Sequence, residues 1–483
     1  MRGLPFSVVF MYMPDGAGYY PLAVGHFHFL GDIMDISEWR KKNSAIKSYA
    51  HFDKRVSVGN NFIWNYITNP QSVAHHGFYP FIRSTRKFKK YNKTDGVKNK
   101  ERPICYSAHI DRCIYQYYSF LLNERYNQRA LDDGINNVAI AYRNNLEKQN
   151  NITFAKTAFD FIKANQDCFV MIGDFTSFFD KVDHNYLKSQ LCSLLGVTKL
   201  PNDYYAVFKN ITRYSFWDIS DLLKINGLPN TQKGIRELNE KETVLSSQEF
   251  KQHKKQYIQR NGNCGIPQGS AISAVLANIY MLSADKIINN YVRELGGLYM
   301  RYSDDFIITL PNISVSKFNE VYSWIMQYYK DMPGVELSPE KTKLYHFCDE
   351  TVFSYESAEE EHTHKSRISF LGFSFDGTEV TIRDKTVSKY YYRLYKKAKY
   401  IVKSNFVSPN ENPISCRNLY RLYSSKGAKS NSGMKGGNFI TYVNRAYNTF
   451  DRAESVKRPV RKHMRKIRKA LKTTKNRKTT SSV

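Results

Sequence analysis

Residues 302–305 read Tyr302-Ser303-Asp304-Asp305 and separate two apolar runs, Leu298-Tyr299-Met300 and Phe306-Ile307-Ile308. The runs predict two short strands, and the tetrapeptide predicts the hairpin turn between them. Two adjacent aspartates beside a buried sheet are costly unless a cation neutralises them. Hard oxygen ligands at an open site suit Mg²⁺ or Mn²⁺. A solvated acidic turn is the alternative interpretation of this stretch alone.

The composition points to a nucleic-acid partner. The chain has 483 residues, including 36 Tyr and 30 Phe, and a formal net charge of +28. This excess indicates a polyanion, and rings that can stack on bases favour nucleic acid over a membrane surface. We expect no membrane span and no signal peptide. Seven scattered cysteines without a CxxC pair predict neither a zinc site nor a disulfide framework, and they favour a reducing cytosol.

A third aspartate follows another predicted strand. Residues 168–172 read Cys-Phe-Val-Met-Ile, which indicates a buried strand, and Gly173-Asp174 ends it. A helix is expected from about residue 183 to 195. A carboxylate at the end of a core strand is well placed for function, although a helix cap is the alternative for Asp174 alone.

A loop with two special residues precedes a strongly apolar helix. Gly265–Ser270 breaks the chain, and the apolar spacing predicts a helix over 271–284. Gly269 would permit the close approach of a backbone or a ligand, and Ser270 would cap the helix.

Basic segments lie near both ends of the chain. A flexible basic loop is expected between residues 87 and 102. Residues 455–483 contain no acidic side chain, and an apolar stripe predicts a helix whose basic face binds RNA, with a disordered basic tail as the alternative. The stripe consists of Val456, Val460, Met464, Ile467 and Leu471, and the RNA-binding candidates are Arg461, Lys462, Arg465, Lys466, Arg468 and Lys469.

The carboxylates suggest one joint chemistry. If Asp174 and Asp304 end adjacent strands, they would hold two divalent ions about 4 Å apart, with Asp305 as a weaker or outer ligand. Such a pair would activate a 3′ hydroxyl and stabilise charge on a transferred phosphoryl group. Lys100 and Arg102 would neutralise a triphosphate. The ring of Phe179 would exclude a 2′ hydroxyl and so favour deoxynucleotides.

The motifs, in this order, resemble those of bacterial reverse transcriptases from about residue 75 to about residue 385. Asp174–Asp180 (Asp-Phe-Thr-Ser-Phe-Phe-Asp) is similar to the first catalytic motif of that family, and Tyr302–Asp305 matches its YxDD motif. Gly265–Ser270 resembles its PQGS loop, Leu337–Thr342 its lysine motif and Phe370–Phe373 its primer-grip hairpin. The resemblance implies metal ligands at Asp174, the backbone carbonyl of Phe175, Asp304 and Asp305; nucleotide contacts at Lys100, Arg102, Phe179, Gln268, Gly269 and Lys341; and primer or template contacts at Ser270, Tyr302, Phe370, Leu371 and Gly372.

The fold implied by the resemblance is α+β, a right hand of fingers, palm and thumb whose palm is an antiparallel sheet. The expected divisions are an N-terminal region with fingers over 1–165, a palm over 166–385 with an insertion at about 197–262, a helical thumb over 386–454, and a basic C-terminal extension over 455–483.

Finer motifs look like those of the defence-associated, or "unknown group", reverse transcriptases, which are related to retron and group II intron enzymes. These motifs are Ile104–Asp111, Ala139–Arg143 and Phe375-Asp376-Gly377 with Ile382-Arg383. The Val-Thr-Gly and Asn-Ala-x-x-His motifs of retrons are missing, and no endonuclease or RNase H pattern follows the thumb. Ala271 and Ala274 replace prolines found in many relatives.

Three functions follow as expectations. The first is an RNA-directed DNA polymerase of antiphage defence in the bacterial cytoplasm, using two Mg²⁺ (or Mn²⁺) ions and dNTPs and working with a structured non-coding RNA as template or scaffold. The second is a template-independent or protein-primed DNA polymerase, and the third is an inactive RNA-binding scaffold; a group II intron-type maturase is a further alternative. A DNA product and no membrane partner are expected, and a homo-oligomer stays open.

Overall fold

A computed structural model describes residues 35–92, 96–146, 149–338, 341–355, 364–408, 411–428 and 437–472, without the side chains of 89–92, 96–98 and 100. The first elements are α1 (Ile36–Asn43), α2 (Asn61–Thr68), α3 (Pro70–Ala74), β1 (Phe81–Asn92), β2 (Gly96–Tyr106), α4 (His109–Asp132) and α5 (Asn151–Ala164). They are followed by β3 (Cys168–Asp174), α6 (Phe178–Lys181), α7 (His184–Leu195), α8 (Asn202–Thr212), β4 (Ser215–Asp218), α9 (Ile219–Ile225), α10 (Gln232–Glu240), α11 (Ser247–Tyr257), β5 (Gln259–Arg260) and α12 (Ser273–Glu294). Next come β6 (Leu298–Tyr302), β7 (Asp305–Pro311), α13 (Val315–Asp331), β8 (Lys343–Cys348), β9 (Thr351–Tyr355), β10 (His364–Lys365), β11 (Ile368–Phe370), β12 (Phe373–Phe375) and β13 (Val380–Ile382). The last are α14 (Asp384–Lys403), α15 (Arg417–Tyr423), α16 (Phe439–Thr449), α17 (Glu454–Lys457) and α18 (His463–Lys472).

A six-stranded antiparallel sheet forms the centre, in the order β10-β9-β8-β3-β7-β6. Side chains alternate between its two faces, as the pleat of a strand requires. Phe169 and Met171 join the core that includes the apolar residues of α4, α12 and α13, whereas Val170 and Ile307 join the core that includes α5. Both faces are therefore buried, which explains why β3 and β7 read as nearly continuous apolar runs.

A second sheet lies near the N-terminus in the order β2-β1-β4-β5. Its longest part is the hairpin of β1 and β2, which pair from Ile82↔Tyr106 to Asn92↔Gly96. For residues 87–92 and 96–102 the expectation of a flexible basic loop is therefore wrong: a ladder of backbone hydrogen bonds orders these residues even though few apolar side chains mark them. The segment predicted as an insertion at 197–262 contributes β4 and β5 to the same sheet.

A three-stranded sheet, β11-β12-β13, packs with α14 to α18. The run 368–375 is a hairpin whose turn residues, Leu371 and Gly372, both have positive φ angles of 47° and 93°. In the C-terminal segment, Val456, Val460 and Ile467 are buried, so the apolar stripe is confirmed within the described residues. The helix expected there is interrupted around Pro459 by a 3₁₀ turn, Arg458–Val460, and the part beyond residue 472 lies outside the described residues. No helix in the described ranges is both long and apolar enough to cross a bilayer.

Candidate active site

Two neighbouring strands bring the predicted carboxylates together. β3 and β7 are antiparallel, and their register pairs Asp174 directly with Asp305. Directly opposed residues project their side chains from the same face of a sheet, with Cβ atoms about 5 Å apart. The sequence places an aspartate at the end of each strand, and the register makes the two ends coincide.

The predicted hairpin is present, but its strands extend into the tetrapeptide, so the turn between β6 and β7 has only two residues, Ser303 and Asp304. Ser303 adopts a left-handed conformation with φ of 62°. The backbone N–H of Phe175 donates to the Asp304 carbonyl over 3.0 Å, and the N–H of Ser338 donates to the Asp174 carbonyl over 2.9 Å. The catalytic-motif residues thus belong to one hydrogen-bonded backbone unit that holds Asp304 beside β3.

The carboxylates repel one another. Partial desolvation, together with the negative charges of Asp304 and Asp174, raises the pKa of Asp305 to about 7. Because Asp305 is exposed, the repulsion contributes more to this shift than the desolvation does. Lys341 opposes the shift: its ammonium group forms an ion pair with Asp174 Oδ1, and the two side chains are 44% and 15% exposed.

The chemistry of this donor set suits a divalent cation. Three carboxylates that repel one another need a positive charge, and the ammonium of Lys341 supplies a stand-in cation at Asp174. Across the described ranges, however, no three His, Cys, Asp or Glu side chains converge as a formed metal site. Cation binding at these residues would therefore require Lys341 to leave Asp174. Lys341 was expected to contact a nucleotide, and in the structure its partner is this aspartate.

A second cluster includes Asp180, the last residue of the first motif, which is absent from the predicted site residues. Gln268 Nε2 lies 3.4 Å from Asp180 Oδ1. Burial raises the pKa of Asp180, while this hydrogen bond and the positive charge of Arg102 oppose the rise. The sequence-predicted nucleotide residues Arg102 and Gln268 therefore meet at one acidic group. Lys100 lies in β2 opposite Phe88, but its side chain is outside the described residues.

Gly269 permits a close approach, as expected, and the approaching group is backbone. Its φ is 111°, and a Cβ atom there would lie 2.6 Å from the carbonyl oxygen of Cys105. The N–H of Cys105 donates to the Gln268 carbonyl over 2.8 Å. A backbone hydrogen bond and close packing therefore join β2 to the 265–270 loop next to Asp180. Phe179, also on this side of the site, is half-buried.

The predicted cap by Ser270 is wrong. The following helix, α12, begins at Ser273 and extends to Glu294, well beyond the predicted end. Its first turn has no side-chain cap, and Ser273 Oγ instead donates to the Pro267 carbonyl over 2.7 Å. The Ser270 hydroxyl is buried and has no hydrogen-bond partner among the described residues. Residues 271 and 272 form a turn between the loop and α12, so Ser270 is too far from the first helical residue to cap it. The residue type alone could not show this.

The predicted primer-contact residues differ in accessibility. The Phe370 ring is buried, so a strand could reach only the turn residues beside it. Asn151 Nδ2 donates to the Leu371 carbonyl over 3.1 Å, and Arg383 N–H donates to the Gly372 carbonyl over 3.0 Å. Tyr302 is half-buried at the end of β6.

Three further residues surround the catalytic turn and were absent from our predicted site residues. Arg301 is completely buried below the turn and pairs with Asp285 of α12. Tyr142 is 49% exposed, has φ of 63°, and its hydroxyl donates to Ser303 Oγ over 3.3 Å. An aromatic residue in the left-handed region is rare and marks functional sites more often than other positions. The signal that could have identified Arg301 was a positive charge directly after the apolar run 298–300, within a strand whose other residues are apolar or aromatic.

The predicted RNA-binding side chains lie on and just before α18. Arg461, Lys462, Arg465 and Arg468 are exposed, and Lys469 is also exposed. The Lys466 ammonium lies 3.7 Å from the centre of the Tyr391 ring, which fastens α18 to α14. Basic side chains are therefore exposed on and just before this helix.

The sequence matches the family described as "Reverse transcriptase (RNA-dependent DNA polymerase)" over residues 89–375, more than half of the chain. No curated protein is matched. Among solved structures, the chain is similar to apo telomerase from Candida tropicalis truncated from its C-terminal domain, with 13% identity and a TM-score of 0.38 over 72% of this chain and 65% of that one. It is also similar to telomerase from Candida albicans in complex with a TWJ fragment of telomeric RNA, with 10% identity and a TM-score of 0.36 over 90% of this chain and 72% of that one.

Proposed function

Because this chain belongs to the family of reverse transcriptases, which are RNA-directed DNA polymerases, we propose that Asp174, Asp304 and Asp305 hold the divalent ions of DNA synthesis. The observation that carries this proposal is the β3–β7 register, which sets Asp174 against Asp305 beside the Ser303–Asp304 turn. Two Mg²⁺ ions, when bound, would activate the 3′ hydroxyl and stabilise charge on the transferred phosphoryl group.

The chain's own residues would position the substrates. Arg102 would contact the triphosphate of a dNTP, because a guanidinium can donate two parallel hydrogen bonds to a phosphate group. Lys341 would leave Asp174 and neutralise phosphate charge. Phe179 would face the sugar, and Leu371 and Gly372 would contact the primer strand. The fingers, palm and thumb would be divided as the resemblance implies, with one exception. We assign β4 and β5 to the fingers, because β4 pairs with β1 and β5 pairs with β4.

We further propose that the enzyme acts in antiphage defence with a structured non-coding RNA. Two features support an RNA partner: the net charge of +28, and the exposed basic residues of α18. The motifs Ile104–Asp111 and Ala139–Arg143 support the defence-associated group. A bacterial host expressing the native locus should resist phage infection, and Asp304→Asn should abolish that resistance.

The biochemical test uses the full chain purified from its native locus. Bound nucleic acid is extracted and sequenced together with the DNA made on adding dNTPs and Mg²⁺. We expect one discrete RNA, and DNA complementary to part of it. Asp304→Asn or Asp305→Asn should abolish incorporation and leave RNA binding intact, whereas Asp132→Asn, at an exposed helix end, should change neither. Full polymerase activity in the double substitution Asp304→Asn/Asp305→Asn would refute the site assignment.

Protein-primed synthesis is the second candidate, and Tyr142 favours it. Tyr142 is 49% exposed, and its hydroxyl contacts the Ser303–Asp304 turn, where an acceptor for the first nucleotide would be needed. In that case the DNA would stay attached to protein after denaturation, and Tyr142→Phe would remove the attachment while keeping the ring. DNA that is free of protein and copies the bound RNA would exclude this candidate.

A further inference from the structure

The catalytic turn rests on a buried ion pair. Arg301 of β6 and Asp285 of α12 are both fully inaccessible to solvent. Arg301 Nε donates to Asp285 Oδ1 over 2.9 Å, and Nη2 donates to Oδ2 over 2.6 Å. The Tyr299 hydroxyl donates to Asp285 Oδ1 over 2.9 Å. Both carboxylate oxygens therefore accept hydrogen bonds from the guanidinium, and Oδ1 also accepts one from Tyr299.

The remaining nitrogen of the guanidinium reaches the turn itself. Arg301 Nη1 donates to the carbonyl of Ser303 over 2.9 Å and lies 3.5 Å from Asn278 Oδ1. Ser303 is the left-handed residue that precedes Asp304, so this hydrogen bond fixes the peptide joining the two. A strained non-glycine conformation persists only where its surroundings determine it, and here the Arg301 contact supplies that constraint from below.

The backbone of the same residue pairs with the neighbouring loop. The backbone of Arg301 accepts from Ile140 N–H over 2.9 Å and donates to the Val138 carbonyl over 2.8 Å. Asn278 Nδ2 donates to the Ala141 carbonyl over 2.9 Å. Asn278 therefore bridges Arg301 to the loop that carries Tyr142. The guanidinium thus links the strand to the helix and the turn, and Asn278 and the Arg301 backbone extend this network to the loop.

A buried ion pair is weak evidence for a role in stability, because an apolar pair of similar volume often stabilises a fold as well or better. A planar guanidinium, however, can grip a carboxylate with two nitrogens and still donate from the third, which an apolar side chain cannot do. We propose that Arg301, oriented by Asp285, is a positioning residue that sets the Ser303–Asp304 peptide and hence the two turn aspartates. The inference rests on the proposed polymerase site.

Two variants separate positioning from stability. Arg301→Lys keeps the buried positive charge but lacks the nitrogen, Nη1, that donates to the Ser303 carbonyl. The double variant Asp285→Leu/Arg301→Met replaces the pair by apolar side chains, which keeps the core filled even where a single substitution would leave one charge unpaired and prevent folding. The matched control is Arg83→Met/Asp218→Leu. In that pair Arg83 Nε and Nη2 also donate to the two oxygens of Asp218, over 2.7 and 2.6 Å, but the pair lies between β1 and β4, away from the turn.

We expect the double variant to melt near the wild-type temperature and to bind RNA with unchanged affinity. Its kcat should fall about 100-fold, the effect of a misplacement of about 1 Å, with little change in KM for dNTP. Mn²⁺ binding measured by electron paramagnetic resonance, without substrate, should weaken in both Arg301 variants and not in the control. A folded double variant with wild-type kcat and Mn²⁺ affinity would overturn the inference, whereas an inactive wild-type enzyme would instead refute the proposed function.

Discussion

The repulsion between the three carboxylates predicts that the active site destabilises the metal-free protein. The perturbation is Asp305→Asn, which removes one charge at nearly constant shape. Because Asp174 and Asp305 are directly opposed, their Cβ atoms lie about 5 Å apart, and we take this as the separation of the charges. At an effective dielectric constant between about 20 and 80, each like-charge pair then costs about 1–3 kcal/mol, before the opposing charge of Lys341 is included. A chain of this length converts that into a rise in Tm of about 1–3 °C for the variant.

The pH dependence of this effect has a definite sign. The folded-state pKa of Asp305 is raised from 3.8 to about 7, so between these values the folded state holds a proton that the unfolded state has released. The free energy of unfolding of the wild type should therefore fall as pH rises from about 4 to about 7 and level off above that range. Asp305→Asn should lack this contribution, so the two proteins should differ at pH 8 and agree near pH 4.

Differential scanning fluorimetry in chelator-treated buffer measures this difference across pH. Adding Mn²⁺ at pH 8 should raise the Tm of the wild type towards or beyond that of the variant, because a bound cation relieves the repulsion and stabilises only the folded state. Asp132→Asn serves as the control, since it removes an exposed carboxylate far along the sequence from the site. If Asp305→Asn melts at or below the wild-type temperature at pH 8 without metal, the carboxylates do not repel as we infer.

Three further outcomes are expected. Phe179→Ala should raise incorporation of ribonucleotides relative to deoxynucleotides about 10-fold or more in single-nucleotide assays, and an unchanged ratio would remove Phe179 from the sugar contact. Gly269→Ala should cost about 1–3 kcal/mol in denaturant unfolding, because its φ of 111° and the Cys105 carbonyl at 2.6 Å both oppose a Cβ; Gly262→Ala, with nothing within 4 Å, should be neutral. Neutralising four exposed cations should weaken RNA binding and reduce the slope of log K against log salt by up to about 3, while Ile467 keeps α18 docked; an unchanged slope would mean that this face does not bind RNA. These four cations are Arg461, Lys462, Arg465 and Arg468.

The sequence was informative where apolar runs bound the catalytic residues. Residues 168–172 and 306–308 are apolar because both faces of their sheet are covered, and this made the strand ends at Asp174 and Asp305 visible. It was uninformative for the β1–β2 hairpin, where backbone pairing orders a charged segment. Ser270 failed for a related reason: a cap depends on where the helix actually begins, and α12 begins only at Ser273.

Side-chain partners distant in sequence were beyond pattern reasoning. The ion pair between Lys341 and Asp174 joins positions 167 residues apart, and no local spacing predicts it. Arg301 and Asp285 are a different case. A single Arg within an apolar strand, and a single Asp within the long apolar stretch of α12, are each costly unless paired, so the two together imply a buried contact.

Two cationic side chains, Arg301 and Lys341, lie near the predicted catalytic aspartates, and their surroundings differ. Arg301 lies below the turn with its charge already balanced by Asp285, so it contributes geometry and little net field to the aspartates above. Lys341 lies at the exposed side, 44% accessible, where its ammonium pairs with Asp174 and also acts on Asp305. Only the ammonium group of Lys341 can be replaced by a divalent ion without leaving a buried charge unpaired. It follows that removing Arg301 should misplace Asp304 and Asp305, whereas removing Lys341 should leave their geometry intact and change only how strongly cations and phosphates bind beside them.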